Sequence, residues 1–300
     1  MERIQVALEK ARARRAAQAG PAGGANGPKI AHSDAAAVKP PPAPPEPTRS
    51  AQPVSVAPAI SPADVVANWQ VLTEVCLPPN LMMRNRIVAF AGGREAGTID
   101  MMRTRILQEM RKKGWRRLAV TSPNPGCGKT TTCLNLAFSL ARQPDLRTIL
   151  LDLDMRRPGL ARLLGLREAR HFADVIAGKA APGEHMHRYG MNLAFGTNAR
   201  PARNPAELLQ GAEIGPVLAR IEADYAPAML IFDMPPMLAN DDMMAFASHV
   251  DCVLILAGAE ETMMEELDNS ERELSGVTNV LGVVLNKCRY RDPSYGYDYY

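Results

Sequence analysis

The chain has 300 residues, a formal net charge of +3, and 46% hydrophobic but 5% aromatic residues. That length suits one large α/β domain with appendages, the charge is too small to argue for a nucleic-acid partner, and the core must be aliphatic. The five cysteines, Cys76, Cys127, Cys133, Cys252 and Cys288, lack the spacing of a metal site or a small disulfide scaffold, which fits a reduced, cytosolic setting. The N-terminus has no apolar h-region and the chain has no run of about 18 apolar residues, so neither a secretory leader nor a membrane span is expected.

In chain order, residues 1–18 read as a short basic helix, with Ile4, Leu8 and Ala11 on one face and Arg12, Arg14 and Arg15 following. Residues 19–62 are dominated by Ala, Pro and Gly, including Pro40-Pro41-Pro42-Ala43-Pro44-Pro45. Such a stretch buries too little apolar surface to offset its ordering entropy and is expected to be a disordered tether. Residues 63–97 form a transition in which Trp69, Val71, Leu72 and Leu81 to Phe90 supply a small packed element. The main domain is expected over residues 98–288, opening with a helix from Thr98 to Lys113 whose apolar face is Ile99, Met102, Ile106, Leu107 and Met110.

The helix leads into a short apolar run, Leu118 to Val120, and then into Thr121-Ser122-Pro123-Asn124-Pro125-Gly126-Cys127-Gly128-Lys129-Thr130-Thr131-Thr132. Strand, glycine loop, Gly-Lys-Thr and helix follow in the order of a phosphate-binding P-loop. The loop Pro125-Gly126-Cys127-Gly128-Lys129-Thr130-Thr131, through the backbone N–H groups that follow Pro125, and the helix N-terminus would cradle a polyphosphate. Lys129 would reach the β- and γ-phosphates, and the Thr130 hydroxyl would hold Mg²⁺. Pro123 stands where the usual motif has its first Gly.

Beyond the loop, apolar strands near residues 147–153, 191–195, 228–232, 250–257 and 280–285 alternate with helical patterns near 130–142, 172–177, 214–224, 241–248 and 263–274. The alternation predicts an α/β fold, a doubly wound and mostly parallel sheet with helices on both faces and ligands beyond the carboxyl ends of the strands. Two carboxylate motifs fall at such ends. Thr148-Ile149-Leu150-Leu151-Asp152-Leu153-Asp154 puts two carboxylates on one side of an extended chain, one suited to hold Mg²⁺ and the other to accept a proton from an attacking hydroxyl. Met229-Leu230-Ile231-Phe232-Asp233 is a buried strand delivering one carboxylate to a metal, a Walker B pattern.

Residues 289–300 close the chain with Tyr290, Tyr295, Tyr297, Tyr299 and Tyr300, five of its seven tyrosines. The segment shows neither helical nor strand periodicity. A flexible tail of phenols beside a phosphoryl-transfer site suggests that the phenols are acceptors.

Together these residues resemble the bacterial tyrosine kinase (BY-kinase) family, in its stand-alone CpsD/CapB-type form. The resemblance covers roughly Thr98 to Tyr300 and is carried by Gly126–Thr130, Asp152-Leu153-Asp154-Met155-Arg156, Asp233-Met234-Pro235-Pro236, Asn204-Pro205-Ala206-Glu207, Leu285-Asn286-Lys287 and the tyrosine tail. It implies a MinD-like (SIMIBI) P-loop NTPase fold and an ATP- and Mg²⁺-dependent protein-tyrosine autokinase that regulates exopolysaccharide or capsule polymerisation and export. Carried over, Lys129 would stabilise the transferring phosphoryl group, and Thr130, Asp152 and Asp233 would position the metal. Asp152 or Asp154 would activate the tyrosine, Asn286 would contact the adenine, and the tail tyrosines would be autophosphorylation sites. Implied partners are a separate membrane-embedded polysaccharide co-polymerase that activates the kinase, further copies contacted tail to active site, and a phosphatase, with no nucleic acid. The implied location is the cytoplasm, at the inner face of the plasma membrane. The chain departs from the pattern at Met234, where the family has Ser or Thr, and in its ring-forming Glu/Arg motif, of which Asp100, Arg103 and Arg105 keep the region but not the spacing.

Two other functions use the same fold. A ParA/MinD-like positioning ATPase would carry a signature lysine at position 124, which is Asn here, and would lack the tyrosine tail. A non-catalytic nucleotide-binding component of an export complex is the other, and the missing hydroxyl at Met234 suits it.

Overall fold

The computed structural model describes residues 60–167 and 170–289. The expected basic helix 1–18, nearly all of the expected tether and the tyrosines from Tyr290 onward lie outside the described residues. In chain order the elements are α1 (Pro62–Val71), β1 (Thr73–Glu74), α2 (Pro79–Arg84), α3 (Gly97–Lys113), β2 (Arg117–Thr121), α4 (Lys129–Ala141) and β3 (Thr148–Asp152). There follow α5 (Leu160–Leu164), α6 (Phe172–Ile176), α7 (Pro182–His185), β4 (Met186–Tyr189), β5 (Leu193–Gly196), α8 (Pro205–Gln210) and α9 (Ile214–Tyr225). The last are β6 (Met229–Asp233), α10 (Asp242–Phe246), β7 (Cys252–Gly258), α11 (Met264–Ser275) and β8 (Asn279–Asn286).

Among the described residues the strands form one eight-stranded sheet in the order β1-β4-β5-β3-β6-β2-β7-β8. Every pairing is parallel except β4 with β5. The expected doubly wound α/β fold is therefore present. Its physical basis is visible in the central strands, which are apolar throughout because both faces are covered. On β6, Leu230 and Phe232 join one core cluster while Met229 and Ile231 join the other. On β3, Ile149 and Leu151 face one way and Leu150 the other. The helix after the phosphate loop, α4, packs on one face through Leu134, Leu136 and Phe138, and α9 packs on the opposite face through Leu218 and Ile221.

Two strands were not visible in the periodicity. β4 reads Met-His-Arg-Tyr, and β1 has two residues, both exposed. β1 reaches the sheet because α1 is well anchored. Ser61 and Asp64 cap its first turn reciprocally, with Pro62 as its first residue. Trp69 is fully buried, donates Nε1–H to the Tyr225 carbonyl at 2.8 Å and packs edge-on against the Tyr225 ring. Among the described residues no helix is long and apolar enough to cross a membrane.

Candidate functional site

The loop between β2 and α4 turns on two glycines in the left-handed region, Gly126 at φ 87° and Gly128 at φ 92°. At the second, a Cβ would also come within 2.5 Å of the Asn286 amide nitrogen and displace that side chain. Asn286 ends β8 and donates Nδ2–H to the Cys127 carbonyl at 2.8 Å, so it braces the loop from two strands away. Pro123 carries no turn. It is buried, and its carbonyl accepts the Leu238 N–H at 3.0 Å, which accounts for the loop forming without the first Gly of the motif. Pro125 and Gly126 are exposed at the loop tip, Cys127 is buried, and Thr130 and Thr131 are half-buried at the start of α4.

Lys129 is buried, and its Nζ donates to Ser122 Oγ at 3.2 Å. The Ser122 hydroxyl in turn donates to the Asn124 carbonyl at 2.6 Å. Asn124 donates Nδ2–H to Glu266 Oε2 at 2.7 Å. That hydrogen bond and one from the Met263 N–H hold the Glu266 carboxyl below its usual range. Ser122 and Glu266 were absent from the sequence-based candidates. Glu266 lies 142 positions from Asn124, and no local pattern connects them.

β3 and β6 are adjacent and in register, so Asp152 and Asp233 are direct Cα partners. Both are fully buried. Asp152 Oδ2 accepts the N–H groups of Gly159 and Leu160, each at 3.1 Å, and its main-chain carbonyl accepts Asn198 Nδ2–H at 2.7 Å. Asp233 Oδ1 accepts the Cys133 thiol at 3.8 Å. Asp152 Oδ1 and Asp233 Oδ2 have no hydrogen-bond partner although both are buried. Burial, and next the charge of Asp233, pushes the Asp152 carboxyl well above the usual range. Asp233 is pushed up to about 7, chiefly by burial, against the opposing pull of a Thr130 hydrogen bond and the Lys129 charge. A buried pair of like charges with two orphaned oxygens fits a hard cation.

β3 stops at Asp152, so Asp154 lies two residues beyond the strand end, with Oδ1 accepting the Arg157 N–H at 3.1 Å. Asp154 is half-buried. Burial raises its pKa, and the nearby Lys129 charge opposes that rise. Arg156 swings away to form a paired contact with buried Asp242, both bonds 2.8 Å. Lys129, Thr130, Asp152, Asp154 and Asp233 thus converge at the carboxyl ends of β2, β3 and β6. Met234 does not line this site. Its side chain is fully buried in the apolar core. The tail tyrosines lie outside the described residues.

A family model, the CobQ/CobB/MinD/ParA nucleotide binding domain (CbiA), matches residues 118–296. The chain belongs to this family. Curated relatives of the chain are named tyrosine-protein kinases, which bears out the resemblance read from the motifs. The chain is 28% identical over 202 residues to the putative tyrosine-protein kinase EpsB of Ralstonia nicotianae, covering 67% of this chain and 26% of EpsB. It is 28% identical over 185 residues to tyrosine-protein kinase YwqD of Bacillus subtilis, covering 61% of this chain and 77% of YwqD. The chain thus spans about a quarter of the length of the first curated relatives it matches. The kinase domain of the Escherichia coli tyrosine kinase ETK aligns with a TM-score of 0.59 at 26% identity, covering 68% of this chain and 80% of that one. The nucleotide-binding match begins at Leu118 on β2, so α1, β1, α2 and α3 precede it.

Proposed function

We propose that this chain is an ATP-dependent protein-tyrosine autokinase that phosphorylates its own tyrosines among residues 290–300, as part of the control of exopolysaccharide or capsule export. The observation that carries the reading is the in-register pair Asp152 and Asp233, buried beside Lys129 and Thr130 with one orphaned oxygen each. Among the described residues no cluster of three or more His, Cys, Asp or Glu is placed to hold a metal ion by itself. That suits Mg²⁺, which takes one or two carboxylates and completes its shell with phosphate oxygens and water. The holding residues would be Asp152, Asp233 and the Thr130 hydroxyl. The chemistry Mg²⁺ supplies when bound is charge neutralisation on the phosphates.

The residues divide the work by access. The loop from Pro125 to Thr131 cradles the polyphosphate through its N–H groups, and Lys129, held by Ser122, stabilises negative charge on the transferring phosphoryl group. Asn286 keeps the loop closed through the Cys127 carbonyl, next to where the base would lie. Asp152 is fully buried and has its Oδ2 saturated by backbone N–H groups, so a tyrosine cannot reach it. Asp154 is half-buried, with a pKa raised by burial, and is the group placed to take the phenolic proton. The phenolate oxygen then bonds to the γ-phosphorus as the bond to the β,γ-bridging oxygen breaks, leaving ADP and phosphotyrosine. The relatives' names as tyrosine-protein kinases support the acceptor. The proposed partners are a membrane-embedded co-polymerase that activates the chain at the inner membrane face, further copies and a phosphatase.

The test is incubation of full-length protein with labelled Mg-ATP, followed by peptide mapping. Labelled tyrosine should appear in residues 290–300, vanish in Lys129→Ala and largely vanish on truncation before Tyr290 while nucleotide binding persists. ATP hydrolysis without phosphotyrosine, in the presence of the activating partner's cytoplasmic segment, refutes the kinase reading.

A further inference from the structure

The amino ends of β2, β3 and β6 carry a second concave site, on the far side of the sheet from the phosphate loop. It is a cavity of about 700 Å³ whose lining includes the residues just before β2 (Trp115, Arg116), before β3 (Asp145, Arg147) and at the start of β6 (Met229). Buried Met110 and Met229 and half-buried Trp115 give it an apolar wall. Arg111, Arg116 and Arg147 surround that wall with positive charge. Lys113 adds a further ammonium 5.9 Å from the Trp115 ring centre.

The cations here are not used up by the fold. None of the three guanidinium groups is paired with a carboxylate among the described residues. Asp145 is the sole carboxylate in the lining. Two carboxylates that meet the start of β2 are engaged: Glu222 holds the Arg117 guanidinium at 2.6 and 2.7 Å, and Asp251 accepts the N–H groups of Arg116 and Arg117 at 2.7 and 2.8 Å. Nor is Arg111 needed to satisfy the end of α3, since the Gly114 and Trp115 N–H groups already bond the last carbonyls there. An aromatic wall ringed by free guanidiniums matches a ligand that joins an aromatic ring to a doubly charged anion.

We propose that this cavity is a docking site for the phosphorylated tyrosine segment, residues 290–300, of a second copy of this chain. The proposal rests on the autokinase reading for the source of the phosphate. The segment has the needed chemistry: five phenols, two aspartates, and about −1.5 to −2 charge added with each phosphate. A second copy is favoured over the same chain by reach. β8 ends at Asn286, at the carboxyl edge of the sheet and three strands from β6. The straight line to the cavity is about 30 Å through the protein, from strand rise and spacing. Tyr295 and Tyr297 stand nine and eleven residues after Asn286 and reach at most roughly 30–40 Å when fully extended, too little to pass around the surface and seat there. Docking would make tail phosphorylation a signal read by a neighbouring copy at a site remote from its own nucleotide.

The test uses phosphatase-treated full-length protein and a fluorescent synthetic peptide covering Asp292 to Tyr300 with phosphate on Tyr295, Tyr297 and Tyr299. Because the peptide brings its own phosphates, binding is read whether or not the protein labels itself, and the labelling assay reports separately on the autokinase. Anisotropy at physiological salt should show at least tenfold tighter binding than for the unphosphorylated peptide. Arg116→Gln/Arg147→Gln should weaken it tenfold or more, and so should Arg111→Glu. Trp115 is one of two tryptophans, and the other, Trp69, is fully buried. Indole emission should therefore change on binding and fall silent in Trp115→Phe. A non-hydrolysable Mg-ATP analogue should bind at the same time. Equal binding of the unphosphorylated peptide, indifference to the arginine substitutions, equal competition by polyglutamate, or exclusion by the ATP analogue would each overturn the proposal.

Discussion

Replacing Asp233 by Asn should make the nucleotide-free protein more stable, and the gain should grow with pH. Asp233 is fully buried beside Asp152, and its pKa rises from 3.8 to about 7 because burial penalises the charged form. Below pH 4 the carboxyl is protonated in both folded and unfolded chains, so it has no effect. Between about 4 and 7 the unfolded chain releases the proton while the folded one keeps it, and stability falls as pH rises. Above 7 the full penalty applies: about three pKa units at about 1.4 kcal/mol each, or about 4 kcal/mol. Asparagine keeps the shape and can still bond Thr130 and Cys133 but carries no charge. In chelator, without nucleotide, Asp233→Asn should therefore unfold roughly 10 °C above the wild type at pH 8, and the two should converge near pH 4. Addition of Mg-ADP should raise the wild-type melting temperature and leave the variant nearly unmoved. The measurement is thermal unfolding of the full chain from pH 4 to 8.5. A variant no more stable than the wild type at pH 8, or an offset independent of pH, would refute the account of this pair as a charge-deficient site.

Three further outcomes follow from single contacts. Asp154→Asn should lower the rate of tyrosine labelling by about 10²- to 10⁴-fold with little change in ATP affinity, since only proton removal is lost; an equal loss of ATP affinity in a binding titration would move Asp154 into the metal shell. Gly128→Ala puts a Cβ within 2.5 Å of the Asn286 amide at φ 92°, so it should cost about 1–3 kcal/mol and abolish binding of a fluorescent ATP analogue, and wild-type binding would show that the brace is dispensable. Trp69→Ala removes a fully buried indole and its 2.8 Å bond to the Tyr225 carbonyl, so urea unfolding should show a loss of about 3–5 kcal/mol; a loss under 1 kcal/mol would mean that α1 is merely appended.

The central strands were readable because burial on both faces leaves an uninterrupted apolar run, and Thr148–Asp152 and Met229–Asp233 end where those runs end. The positions of Asp152 and Asp233 were readable for the same reason: each is the charge that terminates such a run, and each ends its strand. Strand β4 was not, because His187 and Arg188 interrupt the apolar signal while the pairing with β1 and β5 is made by the backbone. The partners that set the geometry were equally hidden. The resemblance implies that Asn286 contacts the base, and no local pattern shows that its side chain also bonds the Cys127 carbonyl across 159 positions. The paired contact of Arg156 with Asp242 links two loops 86 positions apart. Pairings of this kind depend on strand order, which periodicity does not encode. Met234 shows the converse: a motif position that looked chemical is a core position.

The phosphate loop and the carboxylate strands form one mechanical unit, and this has a measurable consequence. Thr121 Oγ1 donates to the Pro235 carbonyl at 2.7 Å, the Met237 N–H to the Ser122 carbonyl at 2.8 Å and the Leu238 N–H to the Pro123 carbonyl at 3.0 Å. The segment after β6 is thus laced to the segment after β2, and Ser122 also accepts from Lys129. Nucleotide binding would relieve the repulsion at Asp152 and Asp233 and fix Lys129, so both laced segments should resist opening together. In amide hydrogen exchange, Mg-ADP should slow exchange at Met237 and Leu238 by a factor close to that at the loop amides of Cys127 to Thr131. Protection confined to Cys127–Thr131 would show that the lacing does not carry the effect, and that the carboxylate strand is held by the core alone.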